Sequence, residues 1–435
     1  MNIHRMKYIT GLLALILSFY SNAQVPVPAG PQERPIALMN GIIHIGNGEV
    51  IENGILTIHD GKISSVGDAR VVKIDLTDYE VINVSGKHVY PGLILGNSRV
   101  GLVDINAVRA TLDYREVGDF TPNVRSVIAY NTDSEVIPTF RFNGILLAQV
   151  VPTGGIISGT SSVVAMDGWN WEDAAYALDG GVHTYWPGYL SSPNWWRGET
   201  DWKKNESYDE KTREIETFLQ NARSYSLQGT PDEINLKLEA MKGLFSGEKK
   251  MFLHADEKRQ IIEGVNMLKR NGIKDIVVVG ASEAYYVMDF LKENDIPVLL
   301  SKVHRLPEYD EEDVDMPFKL PYLLTQKGIL VGLAHGDEVQ SSRNQAFYAG
   351  TAAAYGLEKE EALKLVTINP AKILGIDKTT GTLEQDKEAN IVVSEGDLMD
   401  MRTNQLLYAF IRGRKINLEG RQQMLYERYK EKYGQ

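Results

Sequence analysis

The chain has 435 residues, 43% hydrophobic and 24% charged, with a formal net charge of −12 and no cysteine. That length suits one large domain plus a smaller one, and that balance is typical of a globular protein rather than a disordered or fibrous one. The acidic surface repels phosphate backbones and makes nucleic acid an unexpected partner, while the lack of cysteine excludes thiol catalysis, cysteine-bound metal and a lipoprotein anchor.

The first predicted element is a targeting signal. MNIHRMKYIT carries Arg5 and Lys7, GLLALILSFY is an apolar run too short to span a bilayer, and Ser21-Asn22-Ala23 supplies small residues for cleavage. A secretory signal over 1–23, cut near Ala23, predicts a secreted or periplasmic protein with no membrane span in its mature form. Losing Arg5 and Lys7 moves the formal charge from −12 to −14.

Residues 36–90 alternate apolar and polar positions, with Asn-Gly at 40–41, 47–48 and 53–54 and Asp60-Gly61. Such pairs are the strongest hairpin signals a sequence carries. The runs 381–398 and 405–416, near the other end of the chain, again read as short strands with glycine turns. A small β-sandwich built from both chain ends, 24–92 plus 377–418, is the economical expectation.

Between them lie continuous apolar runs: 143–152, 161–166, 250–255, 274–280, 296–303 and 328–335. Runs of this kind suit strands buried on both faces of a parallel sheet. Helical patterns over 209–225, 231–245, 257–272 and 282–294 separate the later ones. The alternation predicts an α/β fold, a (β/α)8 TIM-like barrel over 93–376, with a doubly wound sheet as competitor. Residues 419–435 read as a helical tail.

All six tryptophans fall between Trp169 and Trp202. The stretch 169–202 reads as a loop insertion in the barrel. As a lid it would place Trp169, Trp171 and Trp186 against substrate, or form a sugar-stacking surface for carbohydrate. As a satellite cluster it would only cover its own apolar surface.

Several motifs together resemble the amidohydrolase superfamily, in its secreted imidazolonepropionase-like and dihydroorotase-like branch. They are VYPGLI (89–94), VVPTGGIISGTSSVVAMDGWNWED (150–173), FLHADEKRQI (252–261), VVVGASEAYYV (277–287), IPVLLSKVHRLP (296–307), GILVGLAHGDEV (328–339) and TINPAKILGI (367–376) followed by GTLEQDKEANIVV (381–393). In the last motif Asp386 and Asn390 replace the family's usual glycine and aspartate.

The resemblance implies a hydrolase of non-peptide C–N bonds. Its metals sit on His-x-His after strand 1, often a carboxylated lysine after strand 4, histidines after strands 5 and 6, and an aspartate after strand 8. One or two divalent ions, zinc foremost, then lower the pKa of a bound water to about 7, and the hydroxide attacks the carbonyl. Here the strand 1 positions hold Leu95, Asn97 and Arg99. The lysine position falls at Ala165 or Met166, and the strand 6 histidine position at Gly280. His254 stands at strand 5 and Asp337 best matches the general base.

Three readings remain open. A rebuilt hydrolase would gather one metal on His254, His304, His335 and Asp337, or use Arg99 to polarise a carbonyl with His254 as base. A catalytically inactive member would bind a small molecule, and would form a homo-oligomer or pair with an intact relative. A carbohydrate-binding protein would rest on the tryptophans alone. Arg99 would pair with Asp337 if an ion pair fills the old metal cavity.

Overall fold

The computed structural model describes residues 27–191, 193, 195–228, 233–301, 303–307, 312–335 and 339–434. The expected signal peptide and Asp337 lie outside these residues.

Eight strands from both chain ends pair into one sheet. They are β1 (Ile36–His44), β2 (Val50–His59), β3 (Lys62–Asp68), β4 (Glu80–Asn83), β5 (His88–Pro91), β16 (Ile391–Ser394), β17 (Leu406–Ile411) and β18 (Arg414–Lys415), in the order β18-β17-β16-β5-β1-β2-β3. β1 also carries β4 beside its first half, so the sheet branches there, and the pairing gives one continuous sheet. Ile36, Leu38, Ile43, Leu56, Ile391 and Phe410 fill its core.

Only two of the four hairpin signals turn the chain. Asn47-Gly48 lies between β1 and β2, and Asp60-Gly61 joins β2 to β3 with φ values of 48° and 76°. Asn40-Gly41 and Asn53-Gly54 sit inside strands. Gly41 pairs with Gly54, and a Cβ on Gly54 would lie 2.3 Å from Ile43 Cδ1, so packing and not a turn explains that glycine.

The second sheet is nearly a closed barrel. Around it run β6 (Leu93–Ser98), β7 (Ile145–Val150), β8 (Ile157–Ala165), β9 (Ala175–Tyr185), β12 (Lys250–Ala255), β13 (Ile276–Gly280), β14 (Val298–Leu300) and β15 (Val331–Leu333). A parallel bridge between Gly96 and Ala334 joins β15 back to β6. A short hairpin, β10 (Leu190–Ser191) with β11 (Lys203–Lys204), follows β9.

β8 runs antiparallel to both neighbours, and the other neighbouring pairs are parallel. Two consequences correct the sequence reading. Ala165 and Met166 sit at the closed end, where Met166 N–H bonds Leu146 O, and not at the open end where a metal-bridging side chain would be needed. The fourth strand around the barrel is β9, which the sequence reading had merged into a tryptophan-rich loop.

The helices Tyr208–Ser226, Leu236–Ser246 and Lys258–Arg270 bear out three predicted helices, and Arg421–Tyr433 forms an exposed C-terminal helix. No helix among the described residues is long and apolar enough to cross a membrane.

Candidate functional site

In a parallel barrel the strand ends at the open end carry the variable chemistry. Below them the interior is packed solid by Phe252, Val277, Val279, Leu299 and Ala334. Gly181 makes room for this packing, since a Cβ there would lie 2.2 Å from the Phe252 ring. Phe252 in turn stacks on His183 at 4.7 Å and 7°. Gly181→Val is therefore expected to destabilise the fold by about 1–3 kcal/mol, read as a lower urea midpoint, because the overpacked ring must leave its rotamer.

Above this layer a polar chain crosses the barrel. The Asn97 backbone N–H donates to Gln149 Oε1 at 3.1 Å, and Gln149 Nε2 donates to Ser161 Oγ at 3.0 Å. Ser161 Oγ lies 2.7 Å from His183 Nε2, and His183 Nδ1 lies 2.9 Å from His254 Nε2. Tyr185 stacks on His254 at 3.9 Å. Of these partners, sequence reasoning named Asn97 and His254 but missed Gln149, Ser161 and the strand role of His183. The signal for His183 was Val182-His183-Thr184-Tyr185, a run on β9 hidden behind Gly180-Gly181 and flanking tryptophans.

Burial dominates the electrostatics. It holds His183 neutral, well below its ordinary value, with His254 adding repulsion. Burial also drives His254 down to about 3, against the opposing pull of Asp256. Both imidazoles are neutral at pH 7, so their contact is one N–H donating to one lone pair. His254 Nδ1 has no partner among the described residues.

The remaining predicted positions fall elsewhere. Asn97 takes φ 51°, and its amide reaches the His335 carbonyl at 3.5 Å. Arg99 lies over the Tyr114 ring, 4.9 Å from its centroid. The Asp337 side of the expected ion pair is outside the described residues. Gly280 is no vacant ligand position: its φ is 99°, and a Cβ there would lie 2.8 Å from Asp256 Oδ1, which Ser282 Oγ holds at 3.0 Å. His304 bonds Thr351 Oγ1 at 2.7 Å, and His335 bonds the Tyr348 hydroxyl at 3.0 Å. Those two histidines share Tyr348, whereas His254 pairs with His183.

The tryptophans also divide. Because β8 is reversed, Trp169 and Trp171 follow it at the closed end, far from a lid position; Trp171 packs on the barrel core and Trp169 is exposed. Trp186 ends β9 at the open end, but it is buried and donates to the Tyr208 hydroxyl at 3.2 Å. The open end does carry a cleft of about 640 Å³, lined by Arg109, Tyr114, Arg115, Glu116, Asp119 and Gly154 among others.

These donors do not fit a binuclear metal centre. Strand β6 offers an amide and a guanidinium, and a guanidinium is a permanent cation. Among the described residues no three histidine, aspartate or glutamate side chains gather around one point.

The architecture itself has known counterparts. An amidohydrolase from Thermotoga maritima MSB8 superimposes with a TM-score of 0.77 at 22% identity, over 87% of this chain and 99% of that one. The fold is that of an amidohydrolase. A prolidase complexed with N-methylphosphonate-L-proline (TM-score 0.56, 17% identity, 88% and 99% covered) has a related fold, as does a Xaa-Pro dipeptidase with bound methionine (0.54, 14%, 88% and 99%). Residues 324–416 match the amidohydrolase family in sequence. No curated protein sequence matches the chain. In this amidohydrolase fold the matched segment spans the last barrel strand and the return into the composite sheet.

Proposed function

We propose that this is an amidohydrolase-superfamily protein that keeps the barrel mouth as a small-molecule site and no longer assembles the superfamily's binuclear metal hydroxide. The observation that carries this reading is the replacement of the strand-end ligand pair by Asn97 and Arg99, together with His183 and His254 directing ring nitrogens at each other. The cleft beside Tyr114 presents both arginines and carboxylates, which suits a small ligand with charged groups of both signs. Export through the 1–23 signal, and assembly with a second copy or an intact relative, belong to the same proposal.

A second reading has one observation in its favour. Two neutral imidazoles side by side are the protonation state a divalent ion needs. With Asp337 they would make a mononuclear hydrolase of C–N bonds, on a donor set that replaces His304 and His335 by His183. In that case the ion supplies an activated water, while Ser161 fixes the orientation of His183.

One experiment separates the two. Residues 24–435 would be dialysed and measured by elemental mass spectrometry, then assayed against amide and lactam substrates. The proposal expects less than about one-tenth of an equivalent of metal, since catalytic zinc needs three protein ligands, and no turnover. Near-stoichiometric zinc or manganese that disappears in both His183→Ala and His254→Ala, with hydrolysis lost alongside, would establish the mononuclear enzyme instead.

A further inference from the structure

The closed end of the barrel holds a buried charge cluster that the site above does not use. Arg141 donates from Nη1 to Asp167 Oδ1 at 2.9 Å, with the two side chains only 4% and 1% exposed. Asp167 Oδ2 accepts from the Ala29 N–H at 3.0 Å and lies 3.8 Å from Arg414 Nη2. One carboxylate thus faces two guanidinium groups, leaving a net positive charge in a poorly solvated place. Asp133 is nearby but exposed, at the rim.

Beside the cluster lies a cavity of about 20 Å³, enough for one water-sized particle. Two polar atoms of its lining residues, Arg141 Nε and Tyr130 Oη, are fully enclosed and have no hydrogen-bond partner among the described residues. Arginine Nε can only donate. The tyrosine stays protonated, because burial pushes its pKa far above the ordinary value, and its proton is free to turn the same way. A buried donor left without an acceptor costs more than an average hydrogen bond returns.

We propose that this cavity binds a single monovalent inorganic anion of chloride size between the Arg141 Nε–H and the Tyr130 O–H. Two unpartnered donors on side chains lining one cavity, with an excess positive charge beside them, favour an anion over water. Water would accept both bonds but would leave the positive charge of the cluster unneutralised, whereas an anion accepts the same bonds and offsets that charge. The anion would neutralise the cluster that ties the segment at Ala29, the barrel floor and β18 together.

The test is the thermal midpoint of the mature chain at constant ionic strength, with sodium chloride replaced by sodium gluconate, whose anion is too large for the cavity. The wild type is expected to melt about 2 °C or more higher in about 0.2 M chloride, by mass action on the folded state. Tyr130→Phe, which keeps the ring packed on Gly101, is expected to fold and to lose that difference. Crystals soaked in sodium bromide are expected to show an anomalous peak between Tyr130 and Arg141. Equal midpoints in the two salts, a chloride effect that survives in Tyr130→Phe, or a cavity peak without anomalous signal would each overturn the assignment.

Discussion

Replacing Arg141 by methionine is expected to destabilise the protein by about 3–5 kcal/mol, measured by chemical denaturation. The cause is not the loss of an attraction but the charge left behind. Asp167 is 1% exposed, and without Arg141 it keeps only the Ala29 N–H and a guanidinium of Arg414 at 3.8 Å. An unpaired carboxylate in that position is far costlier than a neutral side chain of the same size. The double substitution Arg141→Met with Asp167→Leu should therefore recover most of the loss. A double variant as unstable as the single one would show that the arginine acts through packing alone.

Stability is also expected to fall as the pH drops from about 6.5 towards 3, on account of the His183–His254 pair. The sign follows from proton counting. A histidine whose folded pKa is depressed binds fewer protons folded than unfolded, so ΔG of unfolding rises with pH throughout that window. His254, held at about 3 by burial, would lose on the order of 2 kcal/mol between pH 7 and 4.5. His183 is shifted the same way, and a shared proton would repel a second. His88 and His304 are lowered too, again mainly by burial, so the total slope is not theirs alone to explain. The decisive measurement is the slope of stability against pH in wild type and His254→Gln. The variant should take up about one proton fewer on unfolding near pH 5. An unchanged slope would mean that His254 is protonated in the fold and that the neutral pair does not exist. The carboxylates Asp68 and Asp400, lowered to about 2 by their arginine neighbours, lose their own contribution as the pH falls below about 4, so the histidine slope is read above that value.

Much of the molecule was legible residue by residue. The run 250–255 coincides with β12, and the apolar stretches at 274–280, 296–303 and 328–335 each contain a barrel strand. That both chain ends supply short strands was legible because its signals are local, alternation and short runs, whereas their pairing into one sheet in place of the expected sandwich was not. That Arg99 offers no metal ligand was plain from residue type, since no packing can make a guanidinium one.

The candidate site was legible only in part, and the reason is geometric. An apolar run such as Ser161–Met166 reports burial on both faces but not direction, and β8 is buried whichever way it runs. Its reversal moved Ala165, Trp169 and Trp171 to the closed end and promoted β9 to the fourth strand. Gly280 looked like a lost ligand, yet Asp256 fills that space.

By itself, then, the sequence determined most of the strand and helix content and the side-chain chemistry that Asn97 and Arg99 bring to the end of the first barrel strand. These follow from periodicity and side-chain chemistry, which act over a few residues. Only the tertiary structure decided which histidines meet, where the tryptophans stand and which charges are buried together. His183 and His254 are 71 residues apart, and Asp167 and Ala29 are 138 apart. Contacts at such separations are set by strand order and direction in the closed barrel, and no local pattern encodes them.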